Sequence, residues 1–182
     1  MRSATTGPTT GPATAGLEHV LGEPDAKLTL LEYGDYECPA CVQAEPLLRH
    51  LLDIHPGRLC LVFRHFPLTQ VHPHAQQAAE AAEAAAAQGR FWPMHHLLLS
   101  QAHQLTPAGL VGCARSLGLD MNRFNAEMAD HIYTQRVQEH RHAGERSGLR
   151  ATPAFFLNGK PVDVSFGLEK LGEAVHAALV AA

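Results

Sequence analysis

Four cysteines, one tryptophan and no excess of positive charge are what this 182-residue chain does not exceed. So few cysteines exclude a disulfide-stapled miniature fold, and a chain of this length buries a real core without staples. Fourteen basic against 18 acidic residues leave a formal charge of −4. That balance argues against a nucleic-acid surface and against an anionic membrane surface. The most basic stretch, "RVQEHRHAGERSGLR", is interrupted by Glu139 and Glu145 and reads as a solvated helix face. No apolar run approaches the ~20 residues of a membrane span, so no membrane insertion is expected. The N-terminal "MRSATTGPTTGPATAG" lacks the apolar stretch of a secretory signal. A cytoplasmic protein is therefore expected; a chain whose export signal had been cleaved, working in the periplasm or outside the cell, would look the same.

What is present is 46% apolar residues and a changing pattern along the chain. Residues 1–16 have too little to bury and read as a disordered tail. "LTLLEY" (28–33) follows a Pro-Asp turn signal and predicts a buried strand. Pro39 suits the first position of a helix, where no N–H is needed. Cys41, Ala44, Leu48, Leu51 and Leu52 then step by three and four, one buried helix face, with a kink expected at Pro46. "GRLCLVFRHFPL" (57–68) predicts a second strand. Residues 73–148 open on an alanine-rich tract and are punctuated by Gly89, Pro93, Pro107 and Gly118, which predicts about five helices. Thr106-Pro107 reads as an N-cap and first-turn proline. "ATPAFFLNGKPVDV" predicts two short strands about the Asn158-Gly159 turn, and "GLEKLGEAVHAALVAA" a final amphipathic helix. The fold class is α/β, in the order β-α-β, helices, β-β-α. The parts fall at residues 17–70, a helical insertion at 71–148, and 149–182.

Cys38 and Cys41, in "GDYECPACVQ", fall between the first strand and the first helix. A helix N-terminus favours an anion, and the thiolate is the nucleophile of disulfide exchange. Cys41 lies one turn on, on the face assigned to the core. An exposed attacker with a sheltered partner is what disulfide exchange needs, because the partner must resolve a mixed disulfide. A zinc site needs about four ligands, usually a second close pair, and Cys60 and Cys113 offer none. Redox chemistry is the leading reading, with zinc or an inert pair as the others.

A Thr-Pro entering a strand, in "RATPAFF", removes a ladder hydrogen bond. A cis bond at Pro153 would turn the Thr152 backbone toward the cysteines; a trans proline opening the strand is the ordinary alternative.

Taken together, "LTLLEYGDYECPACVQAEP", "LVFRHFPL", the helical block and "GLRATPAFFLNGKPV" resemble the thioredoxin superfamily, and within it the DsbA-like thiol–disulfide oxidoreductases. The resemblance runs over residues 17–181. It implies a thioredoxin-like fold with an inserted all-helical subdomain. It also implies Cys38 as nucleophile, Cys41 as resolving cysteine, and Pro153 as a cis proline facing them. Glu32, six residues before Cys38, matches the family's buried acid, a candidate for proton transfer with Cys41. Thr152, Pro153, Pro39 and Ala40 are the candidate substrate contacts. The implied substrates are protein or peptide thiols and disulfides, with a redox partner the sequence does not name and no cofactor.

The chain departs from the family at Pro39-Ala40, where the most oxidising members carry Pro-His. Alanine cannot stabilise a thiolate, and Glu37 beside it would disfavour one, so Cys38 is expected to be less acidic than in those members. A thioredoxin-fold binding module holding zinc, and a glutathione-dependent kappa-like enzyme, are the competing functions. Cys60 and Cys113 read as inert packing, and His72 and His74 as surface-loop residues. His95 and His96 point to different helix faces and read as a poor metal pair. Phe91, Trp92 and Met94 read as core of the insertion.

Overall fold

The alternating and continuous apolar runs of the first 70 residues build the centre of a mixed sheet. In the computed structural model, which describes residues 18–181, the chain forms strand β1 (His19–Leu21), strand β2 (Leu28–Gly34), helix α1 (Pro39–Ile54) and strand β3 (Leu59–His65). The tail expected over residues 1–16 lies outside the described residues. β2 and β3 pair in parallel, from Leu28↔Leu59 to Gly34↔His65, joined by α1 as the crossover. Both are covered on both faces, which is why their sequences are almost uninterruptedly apolar.

After the helical block come strand β4 (Ala154–Leu157), strand β5 (Lys160–Val162) and a terminal helix over Glu169–Ala181. The strand order is β1-β3-β2-β4-β5, with β4 antiparallel to β2. Asn158 and Gly159 both take positive φ (47° and 78°), as a tight two-residue hairpin demands. The sequence reading missed β1. It pairs antiparallel to β3 over only three residues, too short a run to show a period in the sequence.

The block between the two sheet-forming parts comprises α2 (Ala75–Ala86), α3 (Phe91–Ser100), a 3₁₀ turn at Ala102–Gln104, α4 (Pro107–Ser116), α5 (Met121–Ala129) and α6 (Thr134–Arg146). The terminal helix is thus α7. Thr106 caps α4 by accepting from the Gly109 N–H at 3.3 Å, and Asp120 caps α5. Alanine at most buried positions of α2 lets its neighbours approach closely. α1 continues past the exposed Pro46 to Ile54.

Two apolar clusters flank the sheet. Ala44, Leu48 and Leu51 of α1 pack with Leu171, Val175 and Leu179 of α7 on the sheet's Leu30, Leu61 and Phe155. The other cluster fills the helical block and reaches Tyr36, Phe63 and both Cys38 and Cys41. Phe91 and Met94 are core there as expected, and Trp92 touches both clusters. The cysteine pair therefore lies at the seam between sheet and helices.

Two contacts fasten that seam. Glu83 of α2 is buried and receives His19 of β1 (2.7 Å), His65 of β3 (2.8 Å) and Arg136 of α6 (3.0 Å). Burial opposes its charge, but hydrogen bonds from His19 and His65 win and hold its carboxyl far below the usual range. Arg136 belongs to the stretch read from sequence as a solvated face; one side of α6 is solvated, while Val137, His140 and Gly144 are buried. The second contact is Gly144, where α6 meets the sheet. A Cβ there would lie 2.7 Å from the Phe66 ring and 3.2 Å from Tyr33. Gly144→Val should therefore lower unfolding stability by about 1–3 kcal/mol in urea titrations, through overpacking. Unchanged stability would mean that α6 does not seat this closely.

Candidate functional site

The N-terminus of α1 creates the site. Cys38 is the N-cap, with extended backbone (φ −76°, ψ 119°), and Pro39 follows at the first helical position. Chain polarity then separates the two sulfurs. Pro39 and Ala40 are exposed, but Cys38, expected as an exposed attacker, is itself buried at 7% exposure, and Cys41, turned inward with Ala44 and Leu48, is 2% exposed. Both cysteines are free thiols, so the structure shows the reduced pair.

The electrostatics of the two sulfurs diverge. A hydrogen bond from the Cys41 thiol pulls the Cys38 pKa down to about 5, against burial and with help from contacts to Thr152 and the Cys41 and Ala40 backbone. The same hydrogen bond, together with burial and the nearby Glu32, drives Cys41 far up. At neutral pH the pair is a Cys38 thiolate held by a Cys41 thiol. Cys38 is thus acidic without a histidine between the cysteines. Glu37 was expected to oppose the thiolate; its carboxylate instead accepts from the His74 N–H at 2.6 Å, at the start of α2.

Thr152 reaches the pair from β4's leading loop. The Thr152-Pro153 bond is cis, and the Thr152 carbonyl lies 3.4 Å from Cys38 Sγ. The Thr152 hydroxyl is buried without a hydrogen-bond partner. Sequence-predicted residues from two separate stretches thus meet at one place.

Glu32, in the middle of β2, is 2% exposed, and its Oε2 makes no hydrogen bond. Burial, then Glu45 and Cys38, push its pKa up to about 8. It is therefore largely a neutral acid at pH 7, one whose charge and that of Cys41 affect each other.

Asp35 was not anticipated. Its N–H lies 3.5 Å from Cys41 Sγ. Its buried carboxylate accepts from the Glu37 and Leu68 N–H groups and from His72 Nδ1, each at 2.8 Å. His72, read as a surface-loop residue, is thereby tied behind the cysteines. Only an acid three residues before a Cys-x-x-Cys hinted at this, and acids before helix starts are common. His95 and His96 also depart from expectation. Both approach Glu45 of α1, His96 Nδ1 at 2.6 Å and His95 Nε2 at 3.5 Å, although neighbours on a helix diverge by about 100°. Burial opposes the Glu45 charge, but the two imidazoles prevail and bring its pKa to about 2. Cys60 and Cys113 are buried, away from any second cysteine pair, as packing residues.

Comparison with known proteins bears on the fold. A sequence profile of the thioredoxin family matches residues 14–177. The chain is 46% identical over 167 residues to a protein of Salinispora arenicola named Na(+)/H(+) antiporter NhaA 1, covering 92% of this chain and 26% of that one. It thus spans about a quarter of the length of the curated relatives it matches. A thioredoxin-like oxidoreductase from Silicibacter pomeroyi superposes with a TM-score of 0.79 at 28% identity, covering 91% of this chain and 94% of that one. The thiol-disulfide exchange protein α-DsbA2 from Wolbachia pipientis gives 0.74 at 17% identity, covering 88% and 86%. With its parallel β2–α1–β3 unit, its antiparallel β4–β5 hairpin and the helical block between them, the chain belongs to the thioredoxin superfamily and has the DsbA-like fold.

Proposed function

We propose that the chain is a thiol–disulfide oxidoreductase acting on protein thiols through Cys38 and Cys41. The observation that carries the reading is the asymmetry of the two sulfurs, a stabilised Cys38 thiolate beside the exposed Pro39-Ala40 rim and a more deeply buried Cys41 thiol.

The step balances as follows. The Cys38 thiolate attacks one sulfur of a substrate disulfide, and the other leaves as a thiolate. Cys41 loses its proton and attacks Cys38 Sγ, which expels the second substrate sulfur and closes the Cys38–Cys41 disulfide. The substrate is reduced by two electrons and the pair is oxidised by two. The reverse sequence oxidises a dithiol. Glu32 is the group suited to take or return the Cys41 proton, because a buried acid near pKa 8 exchanges protons close to neutral pH. Pro39 and Ala40 offer the exposed rim, and Thr152 with Pro153 the backbone against which an extended peptide lies.

Zinc at the cysteines is disfavoured. Among the described residues, neither cysteine belongs to a set of three side chains close enough to share an ion. The antiporter name belongs to longer proteins, and among the described residues no helix is long and apolar enough to cross a membrane. In a cytoplasmic setting the glutathione pool would keep the pair reduced and the direction reductive; an oxidising compartment would reverse it.

With a disulfide-bonded, scrambled protein substrate, Cys38→Ser should fall to the uncatalysed rate. Cys41→Ser should instead accumulate a substrate adduct that peptide mass spectrometry places on Cys38. An adduct on Cys60 or Cys113, or full turnover by Cys41→Ser with glutathione and small electrophiles, would contradict the reading. Glu32 supplies a pH test. Its folded pKa, about 8, exceeds the unfolded 4.5, so the folded state holds the proton longer and stability drains as pH rises across that window. Glu32→Gln mimics the neutral acid and should gain on the wild type by roughly 1.4 kcal/mol per pH unit between these values. Urea titrations at several pH values that show a constant difference would rule this out.

A further inference from the structure

One cluster of ligating side chains makes no contact with the cysteine pair that the disulfide chemistry uses. Glu45 lies on α1, one turn after Cys41, and faces two consecutive histidines of α3. Each ring approaches a different carboxylate oxygen: His96 Nδ1 is 2.6 Å from Oε1, and His95 Nε2 is 3.5 Å from Oε2. His95 is fully buried, and its Nε2 makes no hydrogen bond. Its Nδ1 is already engaged by the Tyr36 hydroxyl at 3.1 Å. Nε2 is thus the ring's unengaged nitrogen, and it faces Glu45. A fully buried ring nitrogen without a hydrogen bond, facing a carboxylate whose other oxygen a second imidazole already approaches, is a donor set that one cation can bridge.

We propose that Glu45, His95 and His96 bind one divalent transition-metal ion of the zinc class through Glu45 Oε, His95 Nε2 and His96 Nδ1. All three donor atoms lie within 4.8 Å of one another. Zinc takes such donors at about 2.0–2.2 Å, so tetrahedral ligand atoms stand roughly 3.3 Å apart and only small side-chain shifts are needed. Two imidazoles and a carboxylate suit a borderline cation better than calcium or magnesium, which prefer all-oxygen shells. Tyr36 supplies the outer hydrogen bond that fixes tautomer and ring for a metal-bound histidine. The approach is through His96, whose side chain is 31% exposed and lines a cavity of about 330 Å³ with Glu23, Arg49 and Asp53.

The second His–Glu set, His19, His65 and Glu83, lacks these features. Both Nε2 atoms already contact Glu83 Oε1, and Arg136 occupies Oε2. A cation there would displace satisfied bonds and meet a guanidinium.

Trp92, the chain's one tryptophan, reports on the site directly, its ring centroid 5.1 Å from that of His95 and 6.1 Å from that of His96. Metal-stripped wild-type protein and a Cys38→Ser/Cys41→Ser variant, which removes competing thiolates, are titrated with Zn²⁺ by calorimetry. Co²⁺ is followed by visible absorption and by Trp92 fluorescence. The proposal expects one equivalent bound by both proteins, Co²⁺ ligand-field bands without a thiolate charge-transfer band in the serine variant, and a change in Trp92 emission. Glu45→Gln and His96→Ala, checked for folding by circular dichroism, should bind at least ~10-fold more weakly. It is overturned if wild-type protein binds no ion, if binding disappears in the serine variant, or if only His19→Gln weakens it.

Discussion

The site depends on the contrast between the Cys38 and Cys41 sulfurs at the first turn of α1. The partner sulfur, burial and the surrounding backbone make two chemically identical side chains different, lowering one pKa to about 5 and raising the other. Their geometry comes from a helix that starts at Pro39 and cannot start earlier, with Cys38 left at the N-cap and Cys41 rolled onto the buried face. The helix start adds its own preference for an anion at Cys38. A histidine between the cysteines is one way to make a thiolate; here the partner thiol, the Thr152 loop and the backbone do it with alanine in that place.

Everything around the pair holds that turn in position. β2 delivers Glu32 beneath it, and the loop after β2 delivers Asp35, whose carboxylate gathers Glu37, Leu68 and His72. The cis Thr152-Pro153 bond at the head of β4 brings a carbonyl to the sulfur. The helical block closes the far side through Glu83 and through the Gly144 contact with Phe66. Sheet and helices therefore share one apolar cluster that includes both cysteines. Glu45 connects this assembly to α3: it receives both His95 and His96 and also raises the Glu32 pKa.

The sequence was informative wherever chemistry is local. Apolar periodicity located β2, β3 and α1, Asn158-Gly159 located the β4–β5 hairpin, and Thr106-Pro107 located the start of α4. Cys-Pro-Ala-Cys and Thr-Pro marked the site because proline and cysteine are restricted in where they are useful. Partnerships set by tertiary packing left no such mark. β1 is three residues long and is stabilised by β3, not by its own pattern. The convergence of His95 and His96 on Glu45 comes from the packing of α1 against α3, which helix-face geometry alone misjudges. Glu83, inside the alanine tract, is a buried anion joining three elements, and nothing in its sequence neighbourhood marks it.

The most direct test of the account is the reduction potential of the Cys38–Cys41 pair, measured by equilibration in glutathione buffers with the disulfide mapped by mass spectrometry. A thiolate near pKa 5 lies between the thioredoxin and DsbA cases, so the account predicts a Cys38–Cys41 disulfide with a potential between about −270 and about −120 mV. No disulfide between these two residues, or a potential more reducing than the thioredoxin end, would contradict it.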